Sequence, residues 1–562
     1  MSTIKTALDS TFAQLTSEAS PWAVSTTSFD GIEYKYYPKA PQNLIELLDE
    51  GRKHGDNEFV AYDEDRLSFN QFFEQVDALA WQLQNTLQIK PGDRVAIAMR
   101  NYPEWMVAFA AIANVGAVIV PLNSWGRKAE ITYGLKDSQA SAAIFDQQRF
   151  DYIADDLATL SIQAIVARAE KELPSAVHRF EQLTREAKGK KADSVTIDSE
   201  SLAMIMYTAG TTGEPKGAMA SHRNICQAIY NFELAAIAAA MCNGEAITKM
   251  LERGFPSKTL LAIPLFHISG CYSVFLLSLR GGRGIYIMHK WNTKKALETI
   301  EKERITTVYA VPSMLMDLLD AEQWDDYDTK SLFAFGAGGS AQPPHLAEQI
   351  LKQIPNSLPG TGYGMTETSA TGFASTGAAY TYKPKSCGVA TPIIDVRIVD
   401  DQGQTVKPGE AGEIWLKSPG VVQGYWNKPE VTASTFVDGW ALTGDIGYLD
   451  DEGFLYITDR IKDVVIRGGE NITSIEVETT ALNHPAIQEA AVFGLPDDKL
   501  GEELAIAVVL KPGKQVSAEE LQAHIGEQLA QFKIPSKVFF EQELPRNATF
   551  KVLKQDLKNK YS

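Results

Sequence analysis

The chain has 562 residues, 44% apolar and 22% charged, with a formal net charge of −18 at pH 7. One hydrophobic core does not serve that length, so at least two domains are expected, and the acidic balance excludes the basic footprint of a nucleic-acid binder. Cys226, Cys242, Cys271 and Cys387 form no CxxC pair and histidine is scarce, which argues against a zinc or disulfide framework and points to a reducing cytoplasm.

At the N-terminus, residues 1–20 carry acids and lack a basic-then-apolar signal pattern. Residues 1–40 read as a loosely structured lead-in whose aromatics, Trp22, Tyr34, Tyr36 and Tyr37, are available to pack on the body. A helical pattern begins at Asn43 through Leu44, Leu47 and Leu48, and Ser68 is an N-cap for a helix through Phe72, Val76, Leu79 and Leu83. Pro91-Gly92-Asp93 turns into a strand over 94–99; 104–114 reads as helix, and 117–120 and 142–145 as strands. The longest apolar run, Val107 to Leu122, is broken by Asn114 and Gly116 and is short for a membrane span. It reads as a buried helix entering a strand, and no integral membrane segment is expected.

A short apolar strand, Leu202 to Met206, leads into Tyr207-Thr208-Ala209-Gly210-Thr211-Thr212-Gly213-Glu214-Pro215-Lys216-Gly217, after which Ser221 caps a helix through Ile225, Ile229 and Leu234. The Ala-rich stretch 235–257 is either core or a flap over an apolar tunnel. Strands over 260–263, 283–287 and 307–311, with a helix over 293–303, continue an alternation that predicts a parallel sheet with helices on its faces. In such sheets ligands sit at strand ends. From Thr391 the strands shorten (396–399, 412–416) between glycine turns, as in a small β-rich subdomain. After Asp459-Arg460-Ile461-Lys462, strands over 487–493 and 503–510 and a helix over 517–529 form a domain of their own. The expected fold is α/β: a large N-terminal domain of helix-flanked sheets with a β-rich subdomain (1–459), plus a small mobile α+β C-terminal domain (460–562).

The Thr/Gly loop carries the chemistry. Its glycines allow positive φ and close backbone approach, its amides can form an anion-holding nest, and Thr208, Thr211, Thr212 and Lys216 add donors and charge. It lacks the Gly-Lys-Ser/Thr ending of the common phosphate loop. In Gly360-Thr361-Gly362-Tyr363-Gly364-Met365-Thr366-Glu367-Thr368, Tyr363 can lie flat on a base and Glu367 offers a hard oxygen for Mg²⁺; a plain Gly-rich turn is the alternative. Ala337-Gly338-Gly339-Ser340-Ala341 is a tight turn or a base pocket. Thr443-Gly444-Asp445, followed by Asp459-Arg460, can hold ribose hydroxyls and a phosphate, or be an ordinary cap and ion pair.

These strings, in this order over nearly the whole chain, resemble the motifs of the adenylate-forming superfamily, which includes acyl-CoA synthetases, luciferases and adenylation domains. Ala209 replaces a frequent Ser of that family. The resemblance implies ATP held by Thr208, Gly210, Thr211, Thr212, Gly213 and Lys216, an adenine pocket at Gly338, Gly339, Gly362 and Tyr363, Thr366 on phosphate, Glu367 on Mg²⁺, and Asp445 and Arg460 on the ribose. Pro545-Arg546-Asn547-Ala548-Thr549-Phe550-Lys551 resembles the segment whose lysine reaches the α-phosphate, which makes Lys551 the adenylation lysine, with Lys554 the weaker candidate. Phe550 stands where the family usually has Gly. Lys462 falls at the family's hinge, and Gly468 and Gly469 where a pantetheine arm passes. His267, a core histidine or a group lining the acyl pocket, is favoured as a gate near the carboxylate.

The implied function is an acid–thiol ligase. It activates a carboxylic acid with ATP and Mg²⁺ and transfers the acyl group to coenzyme A. Ile268, Gly270, Cys271 and the Ala-rich segment suggest an apolar slot without a fixed counter-charge, deepened at Gly270, for a medium- or long-chain fatty acid. An aryl or branched acid, or loading of a carrier-protein thiol, is the alternative. Oligomeric state is not legible.

Overall fold

The computed structural model describes residues 4–29, 31–208, 215–338, 345–497, 499–547 and 551–562. Two large sheets make up the N-terminal body. The first runs, edge to edge, through strands Lys216–Ser221, Leu202–Thr208, Val118–Pro121, Arg94–Ala98, Ala142–Asp146, Gln163–Ala167 and His178–Arg179. All pairs are parallel except the first, where Lys216–Ser221 folds back antiparallel on Leu202–Thr208. The second sheet has a parallel centre of Leu358–Tyr363, Ala334–Ala337, Thr307–Ala310, Lys258–Leu261, Gly284–Ile287 and Glu58–Tyr62. Antiparallel strands finish both of its edges.

The predicted alternation appears with these boundaries because period-2 and period-3.6 burial are local in the sequence. Apart from Glu104 and Asn114 at its ends, helix Pro103–Asn114 is apolar on every side, and Trp105, Met106, Val107 and Phe109 are wholly buried. A helix without a polar face belongs between layers, and this one shares a core with Val95 and Ile97 of the first sheet and Val60, Ile285 and Ile287 of the second. Truncating Phe109 to Ala would cost about 3–5 kcal/mol. Ser68 caps its helix in a reciprocal box with Gln71, and Ser221 does the same with Asn224 at helix His222–Cys242.

The lead-in is more ordered than its sequence suggests. It forms helix Ile4–Leu15 and the paired strands Ser25–Phe29 and Ile32–Tyr36. Tyr37 is wholly buried, its hydroxyl donating to Asn231 Oδ1 (2.9 Å) and its amide to Gln227 Oε1 (2.8 Å). Its order comes from helix His222–Cys242, which local periodicity does not encode. That helix is the one described helix long and apolar enough to cross a membrane, but half of its most apolar window is buried inside the protein.

The β-rich subdomain is an antiparallel sheet of Asp395–Val399, Gly412–Lys417, Phe436–Val437, Trp440–Leu449 and Leu455–Arg460. A separate sheet begins at Val465–Arg467 and contains the hairpin Ile487–Asp497/Gly501–Leu510, with Lys537–Glu541 added parallel after helix Ala518–Gly526. The two sheets change over between Arg460 and Val465. Asp459, wholly buried, bridges that change by accepting from the Ser474 amide and hydroxyl at the start of helix Ser474–Leu482.

Candidate active site

A cleft of about 2620 Å³ opens at the C-terminal ends of the second sheet's parallel strands and is closed by the C-terminal segment. Thr208, Lys216, His267, Gly338, Gly362, Tyr363, Thr366, Glu367, Asp445, Arg460, Lys462 and Lys551 all line it. Gly210, Thr211, Thr212, Gly213, Gly339, the Ser340-Ala341 pair and Phe550 lie outside the described residues. Gly468 (φ +61°) and Gly469 (φ +89°) sit at the tip of the Val465–Arg467/Glu470–Ile472 hairpin and do not line the cleft.

Three side chains converge on one wall. Strands Trp440–Leu449 and Leu455–Arg460 pair Asp445 opposite Arg460. The Asp445 carboxylate accepts from Tyr363 Oη (2.6 Å) on one oxygen and from Arg460 Nε (2.9 Å) on the other. Tyr363 reaches it because strand Leu358–Tyr363 ends in a tight return to Phe373–Thr376. At Gly364 a Cβ would stand 2.3 Å from the Ala370 carbonyl oxygen, so only glycine fits that return. Burial and the Asp445 charge push the Tyr363 hydroxyl well above its usual pKa, so it stays a neutral donor.

Opposite stands Glu367, buried, with one carboxylate oxygen accepting from Tyr425 Oη (2.7 Å). The Tyr425 ring in turn faces Lys216 Nζ, 5.3 Å from its centroid. The strand Lys216–Ser221 was not anticipated, and neither was Tyr425. Residues 423–426 lie along that strand's free edge, with Met219 donating to the Gly424 carbonyl and Trp426 to the Gly217 carbonyl. That pairing brings Tyr425 between Lys216 and Glu367. No local motif marks it, because the two segments are distant in sequence.

Lys551 enters from the C-terminal side. Its desolvation in the cleft, with Arg460 and Lys462 nearby, lowers its pKa to about 8 against the pull of Asp445 and Glu367. Burial, with a smaller push from Lys551, brings His267 down to about 3, so its ring is neutral, with Nδ1 at 2.9 Å from Ser269 Oγ. Lys462 is also lowered, first by burial. Lys554 also borders the cleft but is tied to Glu478 (2.7 Å) and Ser474 Oγ (2.6 Å) within the C-terminal domain.

From this polar end the cleft continues along one face of the second sheet. Alternate strand residues floor it, as the period of two requires: Thr307 and Tyr309, Ala334 and Gly336, Leu358 and Gly360. Helix His222–Cys242 roofs it with Phe232, Ala235, Ala236 and Ala239, joined by Ile247 of helix Gly244–Arg253. The Ala-rich stretch is therefore a wall of the channel. Two expectations about the slot are corrected. Gly270 and Cys271 do not line it: a Cβ on Gly270 would stand 2.2 Å from the Pro264 carbonyl oxygen, so this glycine serves close backbone packing and not depth. Nor is the slot free of fixed charge, because Arg283 lines its far end.

Among known families, the model for the AMP-binding enzyme matches residues 47–426 and that for the AMP-binding enzyme C-terminal domain matches 476–551. The chain is 33% identical over 541 residues to a long-chain-fatty-acid–CoA ligase of Bacillus subtilis, covering 91% of this chain and 93% of that one. It is 32% identical over 475 residues to a feruloyl-CoA synthase of Amycolatopsis, covering 84% and 90%. Among solved structures it resembles an o-succinylbenzoate coenzyme A synthetase from Bacillus subtilis in complex with ATP and magnesium, with a TM-score of 0.73, 30% identity, and coverage of 91% and 99%.

Proposed function

The chain belongs to the AMP-binding enzyme family, and from that membership we propose that it is an ATP-dependent acid–CoA ligase for a medium- or long-chain aliphatic acid. The observation that carries the reading is one cleft bordered by the hydrogen-bonded trio Asp445, Arg460 and Tyr363, the carboxylate Glu367, and the cations Lys216 and Lys551. For the acyl group, the support is the channel that follows the sheet face for the length of its strands.

A carboxylate is a poor electrophile, because its leaving group would be oxide. In the first half-reaction one carboxylate oxygen attacks the α-phosphorus of ATP, the bond to the bridging oxygen breaks, and pyrophosphate leaves with that electron pair. Charge grows on phosphate oxygens, so catalysis is positioning and electrostatics. Lys551 and Lys216 place positive charge there, and Asp445 with Tyr363 fixes the nucleoside. Neutral His267 lines the carboxylate end without adding charge. Glu367 suits Mg²⁺, since that ion is held by one or two carboxylates together with substrate phosphates. Of its two oxygens only one is occupied by Tyr425. Bound there, the ion would neutralise charge on the departing pyrophosphate.

In the second half-reaction a CoA thiol, losing its proton, attacks the adenylate carbonyl and expels AMP. We assign that step to a swing of residues 460–562 about Lys462, which withdraws Lys551 and brings Gly468 and Gly469 to the cleft. The segment 461–464 is a turn, and a few residues absorbing a φ/ψ change suffice. Four unpaired cysteines fit a cytoplasmic location. The test is acid-dependent pyrophosphate release from ATP, followed by identification of the thioester formed with CoA. A protein that releases no pyrophosphate with any of a broad set of aliphatic and aromatic acids would refute the reading.

A further inference from the structure

The far end of the acyl channel holds a cation that the adenylation chemistry does not use. Arg283 follows the glycine pair Gly281-Gly282, where Gly282 takes φ +66° to end helix Leu277–Gly281, and it immediately precedes strand Gly284–Ile287. That places it at the opposite ends of the strands from Tyr363 and Gly338. By the registers Lys258↔Gly284, Thr259↔Thr307 and Thr307↔Ala334, Arg283 lies about six residue levels from Gly338, roughly 20 Å along the sheet. Its side chain is part-buried and lines the cleft. Desolvation depresses its pKa, and Tyr309 and Glu233 oppose that only in part.

Neither Arg283 nor the Tyr309 hydroxyl has a hydrogen-bond or ion-pair partner among the described residues. Glu233 does not fill that role, because its two oxygens are taken by Arg280 Nε (2.5 Å) and Nη2 (3.2 Å). The Tyr309 ring is set across the channel floor by Gly336, where a Cβ would stand 2.1 Å from the ring. A guanidinium held in a part-buried, low-dielectric cleft without a protein partner is a strong site for a carboxylate. An apolar channel that ends on an unpaired guanidinium and a phenol hydroxyl is complete only when an anion occupies that end.

We propose that the acid activated here is an α,ω-dicarboxylic acid, its distal carboxylate bound by Arg283 and Tyr309 while its proximal carboxylate meets Lys551. The inference rests on the acid–CoA ligase reading and names its substrate class. Arg283 presents a planar fork matched to a carboxylate, and the aliphatic middle lies against Ala236, Ala334 and Leu358.

The test is pyrophosphate release by the full-length protein with dicarboxylic acids graded in length, each against the monocarboxylic acid of equal length. The wild type should show a higher kcat/KM for the diacid at one chain length. Arg283→Met should lower the diacid-to-monoacid ratio about 100-fold, with the monoacid value rising as the buried charge is removed. Arg283→Lys should keep part of the preference as a point charge, and Tyr309→Phe should lower the ratio by a smaller factor. A wild type that prefers the monoacid at every length overturns the proposal alone, as does a ratio untouched by Arg283→Met. No release with any acid, mono- or dicarboxylic, overturns the ligase reading with it.

Discussion

The alkaline limb of the adenylation half-reaction reads the Lys551 amine directly. Buried in the cleft beside Arg460 and Lys462, Lys551 has its pKa lowered to about 8, so the cation is present below that pH and lost above it. The charged fraction then falls tenfold per unit, to about one-tenth at pH 9 and one-hundredth at pH 10. If that charge stabilises the transferring phosphate, kcat/KM for ATP at saturating acid should decline in the same proportion. The limb in kcat should sit at higher pH, because bound phosphates favour the charged amine. The assay is ATP–pyrophosphate exchange without CoA, which removes thiol ionisation from the profile. His267, brought down to about 3, is neutral throughout this range and contributes no limb. Lys551→Arg, charged at every pH used, should abolish the limb whatever its absolute rate, and Lys551→Ala should lower adenylation by about 100-fold or more while sparing thiolysis of supplied acyl-adenylate. A flat kcat/KM to pH 10, or a limb near pH 8 that survives in Lys551→Arg, would refute the role.

Glu367→Gln keeps an oxygen for Tyr425 Oη and so preserves the local packing. Adenylation should fall by about 100-fold with half-saturation shifted to higher Mg²⁺, and an unchanged Mg²⁺ titration would count against the metal assignment. Asp445→Asn weakens the contacts to Arg460 and the ribose. It should raise KM for ATP by roughly tenfold or more, the loss of a charge-assisted hydrogen bond of about 1.5–3 kcal/mol, read from initial rates at varied ATP. Lys462→Pro breaks no backbone bond among the described residues, since the 461–464 turn is held by the Ile461, Asp463 and Val464 amides. Exchange should survive while thioester formation slows, and equal loss of both rates would remove the hinge from the mechanism.

Much of the candidate cleft's lining was legible because its parts are short, local and ordered. A strand end followed by Gly and Thr, a Tyr between glycines, and an Asp at a strand turn each advertise their chemistry within ten residues. Helix caps at Ser68 and Ser221 were equally local, each satisfying an amide three residues on. The ordered lead-in was not legible, because Tyr37 owes its burial to partners almost two hundred residues away.

What the sequence determined on its own is the inventory and the layer order: which residues alternate, where helices start, and which strings carry hydroxyls, glycines and charge. Tertiary structure alone decided who meets whom. It set Tyr425 between Lys216 and Glu367 by laying one loop along a strand edge, tied Lys554 to Glu478 while leaving Lys551 facing Asp445 and Glu367, and carried Arg283 to the far end of the channel. Hydrophobic periodicity fixes which face of an element is buried, but the contacts across that face depend on sheet order and register between distant segments, which no local window encodes.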